Sequence, residues 1–273
     1  MNIVHTDGKI KPYWIAKFYN PLVLNDLCCI LEDQIFNPQG INNLPIFEHI
    51  QSIRQQKLEH GYPGRNCRLH NCIIHDNTIT LQLQEIEYGW SSALGGSYDI
   101  VKDLLISGNM DYLSHGISIA LCIKTTDGLY VFGKRPHGSF LPYDFVGGIV
   151  EMPSKFNDTK YREIYDNLSD KKKINFLYTS SLKELKEELS IGINDINGSP
   201  TLSGIIVGGL GRYIAVVNIN VGLTMLEIQK RFNQLEVKEF DSLEFFTHTE
   251  FIQFLSNQSL IKQLIGEGLQ NTL

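Results

Sequence analysis

Cysteine is scarce in this chain: five residues, at positions 28, 29, 67, 72 and 122, an odd number without framework spacing. That usage excludes a disulfide-built scaffold and fits reduced thiols in a cytoplasmic setting. An excess of positive charge is also missing, since 24 Lys and Arg stand against 30 Asp and Glu for a net charge of -6. A phosphate backbone rewards a basic surface, so a dedicated nucleic-acid binder is excluded, and the one basic run, Lys171-Lys172-Lys173, reads as solvated. No stretch approaches the roughly 20 apolar residues that span a bilayer, and Met1–Tyr13 lacks the apolar region of a secretory leader. The expectation is a soluble, cytoplasmic protein with neither nucleic acid nor membrane as partner. What the 273 residues do contain is 42% hydrophobic material, ample for a buried core.

Two regions differ in pattern. Residues 1–112 read as a small α+β module: PIFEHIQSIRQQKLEHG has Pro45 at a helix start and Gly61 as a stop, and NCIIHDNTITLQLQEIEY reads as a hairpin turning at HDN. Asp99–Ile106 reads as a short helix. From residue 113 onward strands and turns alternate. GISIALCIKTTDGLYVFGKRP is a hairpin turning at Thr126-Asp127-Gly128, and PTLSGIIVGGLGRYIAVVNINVGL a strand pair broken near Gly208-Gly209. Helical pieces follow at about 223–235 and 249–264. The fold class expected is α/β to α+β, with an N-terminal extension at 1–112 and a second domain at 113–273.

Cys67, His70, Cys72 and His75 supply four residues of metal-ligand type within nine positions. If CRLHNCIIH is a strand, alternation puts Cys67 and His75 on one face and His70 and Cys72 on the other, so the four do not converge on one tetrahedral zinc ion.

The segment SLKELKEELSIGI, Ser181–Ile193, is the most informative. At about 100° per residue Glu184, Glu187 and Glu188 share one face of a helix, and Leu182, Leu185 and Leu189 share the opposite one. Carboxylate oxygens are the preferred ligands of hard Mg²⁺ or Mn²⁺. KELKEEL is equally an ordinary solvated helix with interleaved lysines. What favours chemistry is its company: YDFVGGIVE places a glycine pair directly after an apolar strand, where backbone groups can approach a metal and phosphates.

On these residues the chain resembles the Nudix hydrolases, whose signature runs Gly-x5-Glu-x7-Arg-Glu-hydrophobic-x-Glu-Glu-x-Gly-hydrophobic. Gly148 would open the signature and Lys183–Ile191 close it, over a resemblance spanning roughly residues 115–255. Four departures stand out: Ser154 for the first Glu, Lys183 for the Arg, Ser190 for the Gly, and a 28-residue spacer, 155–182, where the pattern has seven. A similar interruption marks the branch resembling vertebrate UDP-glucose pyrophosphatase, and here it would form an insertion at 152–180.

The resemblance implies a mixed β-sheet sandwiched between helices. It implies Mg²⁺ or Mn²⁺ held by Glu184, Glu187 and Glu188 with a backbone carbonyl of Gly147 or Gly148, and catalysis by the same glutamates. It further implies hydrolysis of a nucleoside diphosphate sugar such as UDP-glucose or UDP-galactose to nucleoside monophosphate and sugar 1-phosphate. ADP-ribose hydrolysis and a catalytically idle nucleotide sensor are the alternatives. Glu236 and Glu239 are the candidates for general base, and Arg135, Tyr143 and Arg212 for substrate contact. Phe145 is expected in the core, Trp90 chiefly in packing, and Tyr213 in packing or stacking. The partner would be a small nucleotide, with homodimerisation left open.

Overall fold

The structure, a computed structural model, describes residues 5–6, 9–59, 65–75, 78–139, 142–151 and 175–269. Its strands are β1 (His5–Thr6), β2 (Lys9–Ile10), β3 (Tyr13–Val23), β4 (Cys28–Leu31), β5 (Arg65–His75), β6 (Thr78–Glu87), β7 (Ile117–Lys124), β8 (Tyr130–Lys134), β9 (Tyr143–Asp144), β10 (Thr201–Val207), β11 (Tyr213–Asn220) and β12 (Ser242–Phe246). The helices are α1 (Phe47–Glu59), α2 (Tyr88–Gly96), α3 (Tyr98–Ile106), α4 (Phe176–Leu189), α5 (Met225–Asn233), α6 (His248–Ser256) and α7 (Leu260–Leu269). No helix among the described residues is long and apolar enough to cross a membrane. Lys171–Lys173 and Ser154 lie outside the described residues.

The mixed α+β class is as expected. A seven-stranded sheet runs β12-β8-β7-β11-β10-β3, with β9 paired to β8. β7 and β11 are parallel; the other pairs are antiparallel. β7 and β11 are nearly continuous apolar runs, as strands covered on both faces must be. One face packs on α6 and α7 through Phe132, Phe145, Phe251 and Leu255, where Phe145 meets Phe132 edge to face at 4.8 Å. The other face is covered by α4, α5 and the three-stranded sheet β4-β6-β5, through Leu177, Leu185, Leu189, Phe232, Leu69 and Leu83.

The region before residue 113 is woven into this plan. β3 closes one edge of the central sheet by pairing with β10, and Cys67 and Leu69 share one apolar cluster with Ile117 and Ile119. α2, which the sequence reading leaves unassigned, packs with α1 and α3 in a third cluster that includes Val207 of β10. Its composition, YGWSSALGG, hides it: the glycines are poor helix formers, and tertiary packing overrides them.

Several boundaries move. The acidic helix begins at Phe176, so residues 176–180 of the expected insertion belong to it. The cause is local: the Asn175 side chain accepts from the Tyr178 N–H at 3.0 Å, and Phe176 and Leu177 extend the apolar face into the core. The helix expected at 249–264 is two, separated at residues 257–259. Thr224 and Thr247 cap α5 and α6, each with a glutamate three residues on, Glu227 and Glu250, bonding back to the threonine N–H. β5 carries a bulge between Leu69 and Asn71. The extra residue resets the alternation, so Cys72 turns toward the same apolar cluster as Cys67 while His70 pairs with Glu32 at 2.6 Å. The four Cys and His residues do not converge.

α4 ends in a Schellman turn: Ile191 N–H donates to Leu185 O and Ser190 N–H to Lys186 O, both at 3.1 Å, with Ser190 at φ 57°. A side chain there costs about 1–2 kcal/mol of backbone strain. Substituting glycine also loosens the unfolded chain, by about 0.4–1 kcal/mol. Ser190→Gly is therefore expected to stabilise the fold by a few tenths to about 1 kcal/mol in urea denaturation.

Candidate metal centre

The strand segment 146–151 wedges into the space that β8 leaves as it diverges from β7. Leu121 N–H donates to Val146 O and Ile119 N–H to Gly148 O, both at 2.9 Å, and Cys67 N–H of β5 donates to Val150 O at 2.8 Å. Gly147 and Gly148 lie at the middle of this segment, facing α4. Gly147 has φ 148°, and a Cβ on it would stand 2.2 Å from Ile119 O. On Gly148 a Cβ would stand 2.6 Å from Glu184 Oε1. The two glycines thus have separate reasons: one lets backbone lie against β7, the other leaves room for a carboxylate.

Glu184 and Glu188 are 7% and 5% exposed, whereas Glu187 is half-buried. The solvated-helix reading of KELKEEL does not describe this helix. The Gly147 N–H donates to Glu188 Oε2 at 3.1 Å, while Glu188 Oε1 is buried with no donor against it. Burial, then the Glu239 carboxyl beside it and the nearby Glu184 charge, push Glu188 up to about 11. Burial likewise pushes Glu184 up to about 7, against the pull of Lys183. Glu239 is held below the usual carboxylate range by the Glu188 carboxyl and then by Arg135, which donates to it at 2.7 Å.

Lys183 stands among the acids. Its Nζ lies 3.2 Å from Glu151 Oε2, 3.4 Å from Glu187 Oε2 and 3.8 Å from Glu184 Oε1. Among the described residues no group of three or more His, Cys, Asp and Glu side chains is arranged as it stands to hold an ion. The donor chemistry nevertheless fits a hard divalent cation: clustered carboxylate oxygens, a buried oxygen lacking a partner, and a backbone cradle that a Cβ would fill. Of the two glycine carbonyls, that of Gly148 is engaged with Ile119 N–H, which makes Gly147 the better donor.

A cleft of about 600 Å³ opens beside the cluster, lined by Glu184, Glu187, Glu188, Glu236, Val237 and Glu239 among others. The 234–239 segment that follows α5 forms its far wall, and α5 is held to the end of α4 by Arg231, which donates to Asp195 at 2.6 Å and to Ser190 O at 3.2 Å. Both candidate bases thus reach the cleft, and Glu239 also touches the cluster. Arg135 comes with Glu239 and is further bound to Asp144 at 3.3 Å. Tyr143 and Arg212 are not among the cleft-lining residues. Tyr143 packs edge to face on Phe254 at 5.3 Å, and Arg212 lies against Gly95 and Gly96 of α2. Tyr213 faces His115 at 5.5 Å, and Trp90 carries the Arg54 guanidinium 4.6 Å above its ring. Glu151, which with the paired glycines looks in the sequence like the start of a metal-dependent hydrolase signature, joins the cluster through Lys183. Its signal was its position, an acid ending the glycine-pair strand.

No protein-family model matches the chain, and no curated protein is significantly similar to it. Several solved structures do resemble it. A MutT protein from Methanosarcina mazei Go1 is 13% identical over 57% of this chain and 91% of its own, with a TM-score of 0.33. A C. elegans Ap4A hydrolase is 10% identical over 56% and 92%, with a TM-score of 0.32. Tm1382, provisionally described as a Nudix hydrolase, is 12% identical over 58% and 71%, with a TM-score of 0.37. Likeness this distant decides nothing about the chemistry of this chain, which rests on its own residues.

The raised carboxyls have a consequence for stability without metal. An acid whose folded pKa exceeds its unfolded value of about 4.5 binds more protons when folded, so stability falls as pH rises between the two values. In EDTA the wild type is expected to lose stability from pH 5 to 8 relative to Glu188→Gln, whose amide does not titrate. The gap should widen by more than about 1 kcal/mol, read from urea midpoints across that range.

Proposed function

We propose that this chain is a divalent-metal-dependent Nudix-type pyrophosphohydrolase. The observation that carries the reading is the pair of buried carboxylates, Glu184 and Glu188, one helical turn apart and pressed against the Gly147-Gly148 strand at the wall of an open cleft. Buried like charges destabilise a fold unless a cation offsets them, so their retention speaks for a use.

Glu184 and Glu188, with the Gly147 carbonyl and Glu187 at the rim, would hold Mg²⁺ or Mn²⁺. When bound, the ion neutralises diphosphate oxygens and lowers the pKa of a bound water. The protein's own groups supply the remainder. The Gly147 N–H fixes the rotamer of Glu188. Arg135 keeps Glu239 ionised and aimed at the cluster, where Glu239 stands to accept a proton from water in the cleft, with Glu236 second in line. Displacement of that paired arginine toward a phosphate would give it the substrate contact expected from its sequence position.

For the substrate we infer a nucleoside diphosphate sugar of the UDP-glucose or UDP-galactose kind, cut to nucleoside monophosphate and sugar 1-phosphate. Support comes from the interrupted signature and from the N-terminal region, whose strand β5 pairs with the end of the glycine-pair strand. A second reading, a nucleotide-binding domain without turnover, is favoured by the Lys183 ammonium standing within the carboxylate cluster.

A panel of nucleotide sugars, ADP-ribose and nucleoside triphosphates with Mg²⁺, scored for phosphate-bearing products, separates these readings. Hydrolysis of UDP-sugars above the others is expected, and no product from any substrate would sink the hydrolase reading. Glu188→Gln is expected to lower kcat/KM by at least about 100-fold, more than loss of an outer-shell partner costs, with the fold retained by circular dichroism.

A further inference from the structure

The cleft-side acids divide into two groups. Glu151, Glu184 and Glu187 surround the Lys183 Nζ at 3.2, 3.8 and 3.4 Å, and the Lys183 side chain is 13% exposed. Glu188 and Glu239 form the other group. There Glu188 is 95% buried, from its 5% exposure, and its Oε1 has no donor. An ammonium within 4 Å of three carboxylates is a formal cation in a place where phosphoryl-transfer clusters carry a metal ion. A tethered lysine gives up no translational freedom on arriving there, an advantage that a free ion lacks.

We propose that Lys183 is a resident cation that fills one of two cation positions in this cluster, so that the folded chain takes up a single divalent ion, held at Glu188 with the remaining oxygens of Glu184 and Glu187. The inference rests on the metal-dependent reading above and deepens it. Geometry favours the division: Glu188 Oε1 is buried without a partner, whereas each acid of the other group already has the Lys183 ammonium within 4 Å. The Lys183 side already holds a positive charge, shared among its three acids. Lys183 acts here as a positioning residue. By occupying its place it engages one oxygen each of Glu151, Glu184 and Glu187 and closes that side of the cluster to a second ion.

The test is the number of ions bound, which does not depend on turnover. Mn²⁺ titrated calorimetrically into the full chain should bind at one per chain in wild type and in Lys183→Arg, and at two per chain in Lys183→Met, with folding of each verified by circular dichroism. A wild type that binds two ions overturns the proposal while leaving the metal-dependent reading in place, because Lys183 is then displaced by metal. A folded Lys183→Met that still binds one also overturns it. Should Lys183→Met not fold, the wild-type number decides. No Mn²⁺ binding by folded wild type removes both this inference and the metal-dependent reading.

Discussion

The approach of the Glu184 and Glu188 carboxyls to the backbone at Gly147-Gly148 is the constraint around which the rest is arranged. Each acid alone is costly to bury, and together they repel. The fold offsets this with one backbone N–H on Glu188, an ammonium beside Glu184, and a cleft through which a cation can reach the remaining oxygens. No side chain larger than hydrogen is compatible with that approach, since a Cβ on either glycine would overlap a backbone or carboxylate oxygen. Helix α4 and the glycine-pair strand therefore have to be held in register to within a fraction of an ångström.

Much of the remaining architecture serves that register. The apolar side of α4 is locked into the core by Leu177, Leu185 and Leu189. Its C-terminus is tied to α5 through Ser190, Arg231 and Asp195. The glycine-pair strand is gripped from both sides, by β7 and by β5. The N-terminal residues thereby act on the site indirectly: β5 supplies one of the two ladders that keep the strand straight, and β3 closes the sheet that supports the other.

Legibility in the sequence followed the range of the interactions. Hairpins β5–β6 and β7–β8 and the pair β10–β11 were readable because turn residues and apolar runs encode them locally. The acidic stripe was readable for the same reason, at helical spacing. Its burial was not, because it depends on Gly148 lying beside Glu184 across 36 positions of sequence. Glu239 was readable only as one of two acids in a polar turn; that it, and not Glu236, meets Glu188 depends on where the segment after α5 crosses the cleft. Glu151 was readable beside the glycine pair, but its pairing with Lys183 was not, because that partner is distant in sequence. Tyr143 and Arg212 were chosen by residue type and neighbourhood, and their chemical versatility is absorbed by packing, one on Phe254 and the other on α2.

The two ends of the long interval between Glu151 and Asn175 are each anchored, one by its ladder to β5 and its pairing with Lys183, the other by the helix cap and its bond to Leu24 O. Closure entropy grows only logarithmically with the residues enclosed, about 0.6 kcal/mol for each doubling. Once both stumps are clamped, the length of the interval is almost decoupled from the geometry it joins. A cluster of this design can absorb or discard whole segments there at little thermodynamic expense, which makes the interval a natural seam at which new specificity can be grafted onto an unchanged centre.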